Sequence, residues 1–393
     1  MLPAIGGIPP HPGLARGPVY LDYNATTPVD PRVAEAMLPH LTDFFGNPSS
    51  SHPFSEAPRR ALAKARSQVA GLLGARPGEI VFTASGSEAD LLALRGAVLA
   101  AGRSRPHVIT QSTEHPAVLE TCRALERLHG ARVTVLPVDG HGLVDPAALA
   151  GALTDDTVLV SVMAANNETG ALQPITELAA IAHEHGALFH CDAAQAVGKI
   201  PIDVEALGVD LLTVVGHKTY APKGAAALYV RDGVRLEPVV YGGGQEYGLR
   251  AGTENVALAA ALGTAASIAA EELTAGAPAR VAALRDDLHA RLVAAFPGRV
   301  HLNGPERERL PNTLNVSIDG VLGHELLAAA GGIAASTGSA CHSGAHSPSP
   351  VLTAMGLEPA RALGALRLSL GRWTTSEDMA TAVTALTEGA AVL

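Results

Sequence analysis

Two apolar runs in this sequence each end in one charged side chain. Leu211–Val215 leads into Gly216-His217-Lys218, and Ala187-Leu-Phe-His-Cys191 closes on Asp192. Runs of this length and composition read as buried strands. A lysine and an aspartate at the C-terminal edge of one sheet face a common crevice. The pair suits pyridoxal phosphate: the lysine holds the aldehyde as a Schiff base, and the aspartate keeps the pyridine nitrogen protonated. Gly-His-Lys taken alone reads as a solvated strand end. Asp192 shifts that balance, because a buried carboxylate without a counter-charge is costly and a pyridinium supplies one.

Other residues fall at the same expected sheet edge. Thr83-Ala-Ser-Gly-Ser-Glu88 runs from a strand into a helix through Gly86 and Ser87, and a helix N-terminus suits a phosphate. By itself it reads more readily as an ordinary turn with Ser85 or Ser87 as the cap. His115 follows the next strand, where its ring can stack on a pyridine; a surface histidine is the plainer alternative. Asn166-Asn-Glu-Thr-Gly170 forms a polar turn after a further strand. Gly242-Gly-Gly244 lacks the third glycine of a dinucleotide fingerprint, since Tyr247 stands there, which sets a nicotinamide enzyme aside.

Cys341 lies in Ser336–Pro350, a stretch of small, polar and proline residues that reads as a loop. A thiol beside His342 and near His346 is a candidate nucleophile with a lowered pKa. The same three residues lack a fourth ligand at a recognised metal spacing, so no metal is expected. Cys122 on a helix and Cys191 on a strand read as buried structural thiols. Arg367 projects from a short strand and suits a carboxylate, although Arg on the wet face of a half-exposed strand fits the alternation as well.

The elements that position these groups alternate along the chain. Strands are predicted at Ile80–Ala84, His107–Ser112, Arg132–Val138, Val158–Ala165, Ala187–Ala193, Leu211–Gly216 and Ala225–Val230, with helices such as Ser87–Ala101 and Ile175–His185 between them. This is α/β order with a mostly parallel sheet. Only a short Pro-Lys-Gly turn joins the last two strands, which are expected to be antiparallel. Long Ala-rich helix is predicted near Asn255–Leu292. Short strands follow at Val300–Leu302, Leu314–Ile318 and Ala365–Leu370.

Three parts are expected. Residues 1–18, rich in Pro and Gly, read as a loose arm with no signal-peptide pattern. Residues 19–264 form a large cofactor-binding domain, of which 19–30 can pack on the other domain. Residues 265–393 form a small α+β domain carrying the loop 336–350. The chain has 393 residues, 47% of them hydrophobic, which suits packed domains. Aromatics make up only 3%, so Ala, Val and Leu must fill the cores. No apolar run reads as a membrane span. The formal net charge of −10, with signs interspersed, argues against a nucleic-acid surface. Three cysteines without paired spacing suit a reducing, cytoplasmic setting.

Taken together the motifs resemble the cysteine desulfurases of the class V aminotransferase group. The likeness rests on Tyr20-Leu-Asp-Tyr-Asn-Ala-Thr-Thr-Pro28, Phe45-Gly-Asn-Pro-Ser-Ser50, Ala165-Asn-Asn-Glu-Thr-Gly170, Asp192-Ala-Ala-Gln195, His217-Lys218, Gly242-Gly-Gly-Gln-Glu246, Arg250-Ala-Gly-Thr-Glu-Asn255 and Ser339-Ala-Cys341. Val215-Gly-His-Lys218, Leu310-Pro-Asn-Thr313, Ala340-Cys-His-Ser343 and Pro348-Ser-Pro-Val351 are similar to the selenocysteine lyase branch.

The resemblance implies the type I fold of pyridoxal-phosphate-dependent transferases, with a seven-stranded sheet. It implies that Lys218 carries the cofactor and moves protons, and that Asp192 pairs with the pyridinium. Gln195 contacts the ring hydroxyl, His115 stacks on the ring, and Gly86, Ser87, His217 and Thr253 serve the phosphate. Thr253 reaches in from the second subunit of a homodimer. Asn167 and Arg367, with Asn24 beside them, hold the substrate carboxylate, and Cys341 is the nucleophile. The implied activity converts L-cysteine to L-alanine and passes sulfur through a Cys341 persulfide to an acceptor protein or small thiol, as in iron–sulfur cluster assembly. Selenocysteine lyase and a non-catalytic sulfur-relay protein are the alternatives; a plain aminotransferase has no use for Cys341. Val215, Tyr247 and Ala221 depart from the family pattern, and Val215 and Tyr247 bear on cofactor affinity and substrate choice.

Overall fold

The computed structural model describes residues 8–338 and 347–393. After a short strand β1 (Val19–Tyr20), seven strands build the central sheet: β2 (Ile80–Thr83), β3 (His107–Gln111), β4 (Arg132–Leu136), β5 (Thr157–Ser161), β6 (Leu188–Asp192), β7 (Leu211–Val215) and β8 (Ala226–Val230). Their order is β2-β8-β7-β6-β5-β3-β4. Only β8 runs against its neighbours; the other pairings are parallel. The reason is connection length. Parallel neighbours need a crossover, and helices Pro116–His129 and Ile175–Glu184 supply it between β3 and β4 and between β5 and β6, whereas a short segment without such a helix joins β7 to β8.

Strands β3, β5, β7 and β8 are buried at every position. Successive side chains enter opposite cores. Ile109, Val160 and Leu212 join one apolar cluster, while Val108, Leu159 and Leu211 join the other. Both faces are therefore covered, and the strands read as continuous apolar runs without alternation.

The second domain holds a sheet of order β12-β10-β9, made of β9 (Val300–Leu302), β10 (Thr313–Ile318) and β12 (Ala365–Ser369), all antiparallel. Its core includes Leu284, Leu288, Leu314, Val316, Leu366 and Leu368. Strand β1 pairs in parallel with β11 (Ile333–Ala334), and Leu21 lies in the second core. The segment then crosses back: the Thr27 and Asp30 N–H groups donate to the carbonyls of His217 and Tyr220. Residues 19–30 thus stitch the two domains together.

Four expectations need correction. The long Ala-rich helix is two helices, Val256–Thr274 and Ala277–Ala295, broken at Ala275-Gly276, where Gly276 has φ +81°. The expected boundary at 265 falls inside the first of them. Ala265, Ala266, Ile268 and Ala269 pack in the large core, and Leu284 onward packs in the small one, so packing changes sides at the break. Helix Val256–Thr274 is also long and apolar enough to cross a membrane by composition, which the sequence reading had not found. Here it is a core helix lying against Glu56–Leu73. The backbones come so close that a Cβ on Gly263 would sit 2.5 Å from Ala65 Cα. The N-terminal arm, finally, is tied down where it is described. Trp373 Nε1 donates to the Pro9 carbonyl at 2.9 Å, and the His11 and Trp373 rings lie 5.0 Å apart.

One buried cluster locks the domains. Arg372 Nη1 donates to Asp30 at 2.5 Å, Nη2 donates to Glu272 at 2.8 Å, and the guanidinium lies 3.8 Å from the Tyr220 ring centroid. Asp30 also caps helix Pro31–Met37 through the Arg32 N–H. Removing one partner of such a pair leaves a buried charge exposed to a low dielectric. Arg372→Met is expected to destabilise the chain by about 3–5 kcal/mol, read from the shift of the urea unfolding midpoint. A loss under about 1 kcal/mol would contradict the clamp.

Candidate active site

The C-terminal ends of the parallel strands open into a cavity of about 550 Å³. Each strand brings one element to it. Strand β2 leads into helix Gly86–Ala100, β3 into His115, β5 into Asn167, β6 ends on Asp192, and β7 passes through a single helical turn to Lys218. The second domain closes the far side with Arg367, Ser336 and Gly338.

Lys218 Nζ donates to the carbonyls of Asn24 and Ala25 at 2.6 and 2.7 Å. Burial, aided by Arg367, holds its pKa down to about 8, against the pull of Asp22 and Asp192. Asp192 is 5% exposed, and its Oδ1 accepts the Ala194 N–H at 2.9 Å. Burial pushes this carboxyl up, opposed by that N–H, His115 and Lys218. The His115 Nδ1 accepts the Ala117 N–H at 3.2 Å, which leaves the proton of the neutral ring on Nε2. Burial also holds His217 down to about 4, and its Nδ1 lies 3.2 Å from Thr26 Oγ1.

Helix Gly86–Ala100 starts at the cavity wall. Ser85 is its cap, accepting the Glu88 N–H at 3.1 Å, so Ser87 is a first-turn residue and not the cap. Val215 fills the space over this turn: a Cβ on Gly86 would lie 2.6 Å from Val215 Cγ2. Glycine at 86 is what lets strand β7 approach the helix so closely.

On the opposite wall, Arg367 is 5% exposed within β12. The expected wet face is absent because every residue of this strand is buried. Arg367 Nη2 donates to Asp22 at 2.7 Å and Nη1 to the Asn167 carbonyl at 3.2 Å. Asn24 Nδ2 donates to the same carbonyl at 3.1 Å and to Thr313 Oγ1 at 2.8 Å. Gln195 Nε2 donates to the Asn24 carbonyl at 3.0 Å.

Two expected site residues are not in this group. Thr253 lines a separate pocket of about 220 Å³ beside Arg250 and Asn255, joined to the main cavity only through shared walls at Ala84, Gly224 and Ala225. Cys341, with His342 and His346, lies outside the described residues. The last residue described before it, Gly338, lines the cavity, and Ser349 beyond it donates to Glu168 Oε2 at 2.6 Å. Tyr247 does not line the cavity; its ring stacks 5.2 Å from the Arg66 guanidinium. Ala221 is a fully buried core residue. Cys122 and Cys191 are buried as expected, and burial pushes Cys122 up to about 12.

Sequence reasoning missed several polar groups. Asp22 was visible only inside Tyr20–Pro28, and Glu114 only as the neighbour of His115. Glu114 is buried, donates nothing as a carboxylate, and accepts the Met163 N–H at 2.6 Å; burial and Asp192 push it up to about 8. Asp90 sits on the hidden face of helix Gly86–Ala100, 3.7 Å from His190 Nε2. Lys199 donates to Gln195 and Asn24.

The donor set fits pyridoxal phosphate. Asp192 is a buried carboxylate that burial disfavours and a pyridinium would relieve. Lys218 is an amine made nucleophilic by burial, and the first-turn N–H groups at Gly86 and Ser87 have no acceptor within their own helix.

The family described as aminotransferase class-V matches residues 19–381. A cysteine desulfurase of Trichormus azollae is 49% identical over 359 residues, covering 91% of this chain and 89% of that protein. Among solved structures, a NifS-like protein superposes with a TM-score of 0.88 at 37% identity, covering 96% of this chain and 100% of that one. SspA in complex with cysteine superposes at 0.79, also with 37% identity, covering 91% and 100%.

Lys218 should behave as an unusually reactive amine. Its neutral form prevails above about pH 8, well below the range of a solvated lysine. Acylation of the apoprotein by an amine-selective reagent, followed at Lys218 by peptide mass spectrometry, should rise with a midpoint near pH 8. A midpoint at the ordinary lysine value would contradict the burial argument.

Proposed function

The chain belongs to the class-V aminotransferase family, and on that premise we propose that it is a pyridoxal-phosphate-dependent cysteine desulfurase. One observation carries the reading. Adjacent parallel strands deliver Lys218 and Asp192 into one cavity that Arg367 closes from the second domain. SspA, with the same fold, is known in complex with cysteine, which supports L-cysteine as the substrate.

Pyridoxal phosphate, when bound, supplies an aldehyde that captures the amino group and a cationic ring that takes up electrons from the Cα–H bond. The protein's residues do the rest. Lys218 holds the cofactor and then moves the proton at Cα. Asp192 keeps the ring cationic. Gln195 would serve the ring hydroxyl, His115 would lie against the ring, and Gly86, Ser87 and His217 would serve the phosphate. Arg367 and Asn167, backed by Asn24, orient the substrate carboxylate. The Cys341 thiolate attacks the substrate sulfur: an S–S bond forms, the Cβ–S bond breaks, and the carbon fragment, protonated, leaves as alanine. The persulfide passes its outer sulfur to an acceptor protein or small thiol. Gly338 at the cavity wall, three residues before Cys341 in sequence, supports that role.

We further propose a cytoplasmic homodimer. Leu41, Phe45 and Phe54 are 59%, 71% and 66% exposed, and the two phenyl rings lie 5.6 Å apart. An apolar patch of this kind suits a subunit interface. Thr253, outside the cavity of its own chain, then serves the phosphate of the other.

Lys218→Ala should lower cysteine turnover by at least about 10²-fold and abolish borohydride fixation of the cofactor at position 218. Cys341→Ala should abolish alanine release from cysteine. Selenium leaves more readily, so retained release from selenocysteine would mark a lyase capacity, and retained cysteine turnover would sink the persulfide route.

The dimer has its own test. Mixing inactive Lys218→Ala with a Thr253→Ala variant impaired in cofactor binding should restore activity in the hybrids, because one site then has both residues intact. No recovery in sedimentation-verified hybrids would place Thr253 in its own chain's site.

A further inference from the structure

Asn24, Gln195 and Lys199 form a closed set of hydrogen bonds behind the cavity. Lys199 Nζ donates to Gln195 Oε1 at 2.5 Å and to Asn24 Oδ1 at 3.2 Å. Gln195 Nε2 donates to the Asn24 carbonyl at 3.0 Å. Asn24 is fixed in turn by Asn312 Nδ2, which donates to its Oδ1 at 2.9 Å, and by its own donation to Thr313. Gln195 and Asn24 line the main cavity; Lys199 does not, and borders a smaller one on the other side.

This geometry settles which way the Gln195 amide faces. Turned over, its oxygen would meet the Asn24 carbonyl, which can only accept, and its NH2 would displace the N–H that Lys199 donates to Oε1. With Oε1 taken by Lys199 and one N–H by Asn24, the amide has a single N–H left. We propose that Lys199 is a positioning residue for the cofactor: it locks Gln195 so that only an N–H donor can be turned toward the ring oxygen. This rests on reading the cavity as a pyridoxal-phosphate site. A donor there favours the anionic oxygen, and so lowers the pH at which the Lys218–cofactor linkage loses its proton.

The charges around Lys199 agree with a positioning role. Glu272, which borders the same smaller cavity, is held by Arg372 at 2.6 and 2.8 Å and so does not serve as its counter-ion. Arg280, Tyr23 and Tyr220 complete the titratable neighbours there. Burial, then Lys218 and Arg367, holds the Lys199 amine well below an ordinary lysine. Lys218 itself faces Asp22, Asp192, Arg367 and His115, which are common to all the variants below.

The test loads the wild type, Lys199→Met and Lys199→Gln with pyridoxal phosphate, titrates the visible absorption band against pH, and measures cofactor affinity by titrating the apoproteins. In Lys199→Met the midpoint should rise by about one pH unit and cofactor affinity should fall severalfold. Lys199→Gln keeps a donor for Oε1 and should recover part of the shift. A folded Lys199→Met protein with the wild-type midpoint overturns the proposal, even if its thermal stability has dropped. Should Lys199→Met fail to fold, Gln195→Glu removes the same N–H; an upward shift there supports the proposal and an unchanged midpoint overturns it. A wild-type protein that takes up no cofactor would overturn the functional reading first, and is told apart by the absence of a visible band in every sample.

Discussion

At the end of β6 a carboxylate is kept from water, and the arrangement around it is shaped by that cost. Asp192 receives one backbone N–H and feels the attraction of His115 and Lys218, yet burial still pushes it toward the neutral form. Asp90 and Glu114, both buried nearby, are held toward the neutral form by burial and by the charge of Asp192. A carboxylate buried like Asp192 calls for a cation in the cavity. The sheet order answers part of the demand, because β7 lies next to β6 and carries Lys218 to the same edge. In the function proposed above, a protonated ring nitrogen answers the rest.

The second constraint is that the cavity belongs to two domains. Neither sheet alone brings Lys218 and Arg367 together. The segment that begins with β1 does so, since it pairs with β11, carries Asp22 to Arg367, and then returns its carbonyls at 24 and 25 to Lys218. Asp22 occupies one nitrogen of Arg367 and the Asn167 carbonyl a second, so the guanidinium is already partly satisfied. The buried clamp of Arg372, Asp30 and Glu272 holds the same segment from its other end.

Much of the large domain was legible because its strands are short, apolar and separated by helical stretches, and each of the seven falls within a residue or a few of its expected span. The residues with chemistry stood out for the same reason: a charge after an apolar run is conspicuous. Asp90, Glu114 and Lys199 were not conspicuous. They lie within helices or turns whose pattern does not say which face meets the site, and their meaning comes from partners far away in sequence, such as Asn24 for Lys199. The break at Gly276 was hidden by the Ala-rich composition on both sides of it. Alternation along β12 leaves Arg367 between a carboxylate site and a wet strand face, because it cannot reveal that every residue of this strand is buried.

The contact between helix Val256–Thr274 and helix Glu56–Leu73 has a bearing on how this layer can diverge. At Gly263 the limit is set by main-chain atoms, so shrinking the side chain at 65 would not make room for a methyl group opposite it. The distance between the two rods is thus fixed by the polypeptide itself. Compensating exchanges, the usual currency of drift in a packed interior, are closed at this crossing and remain open only along its flanks.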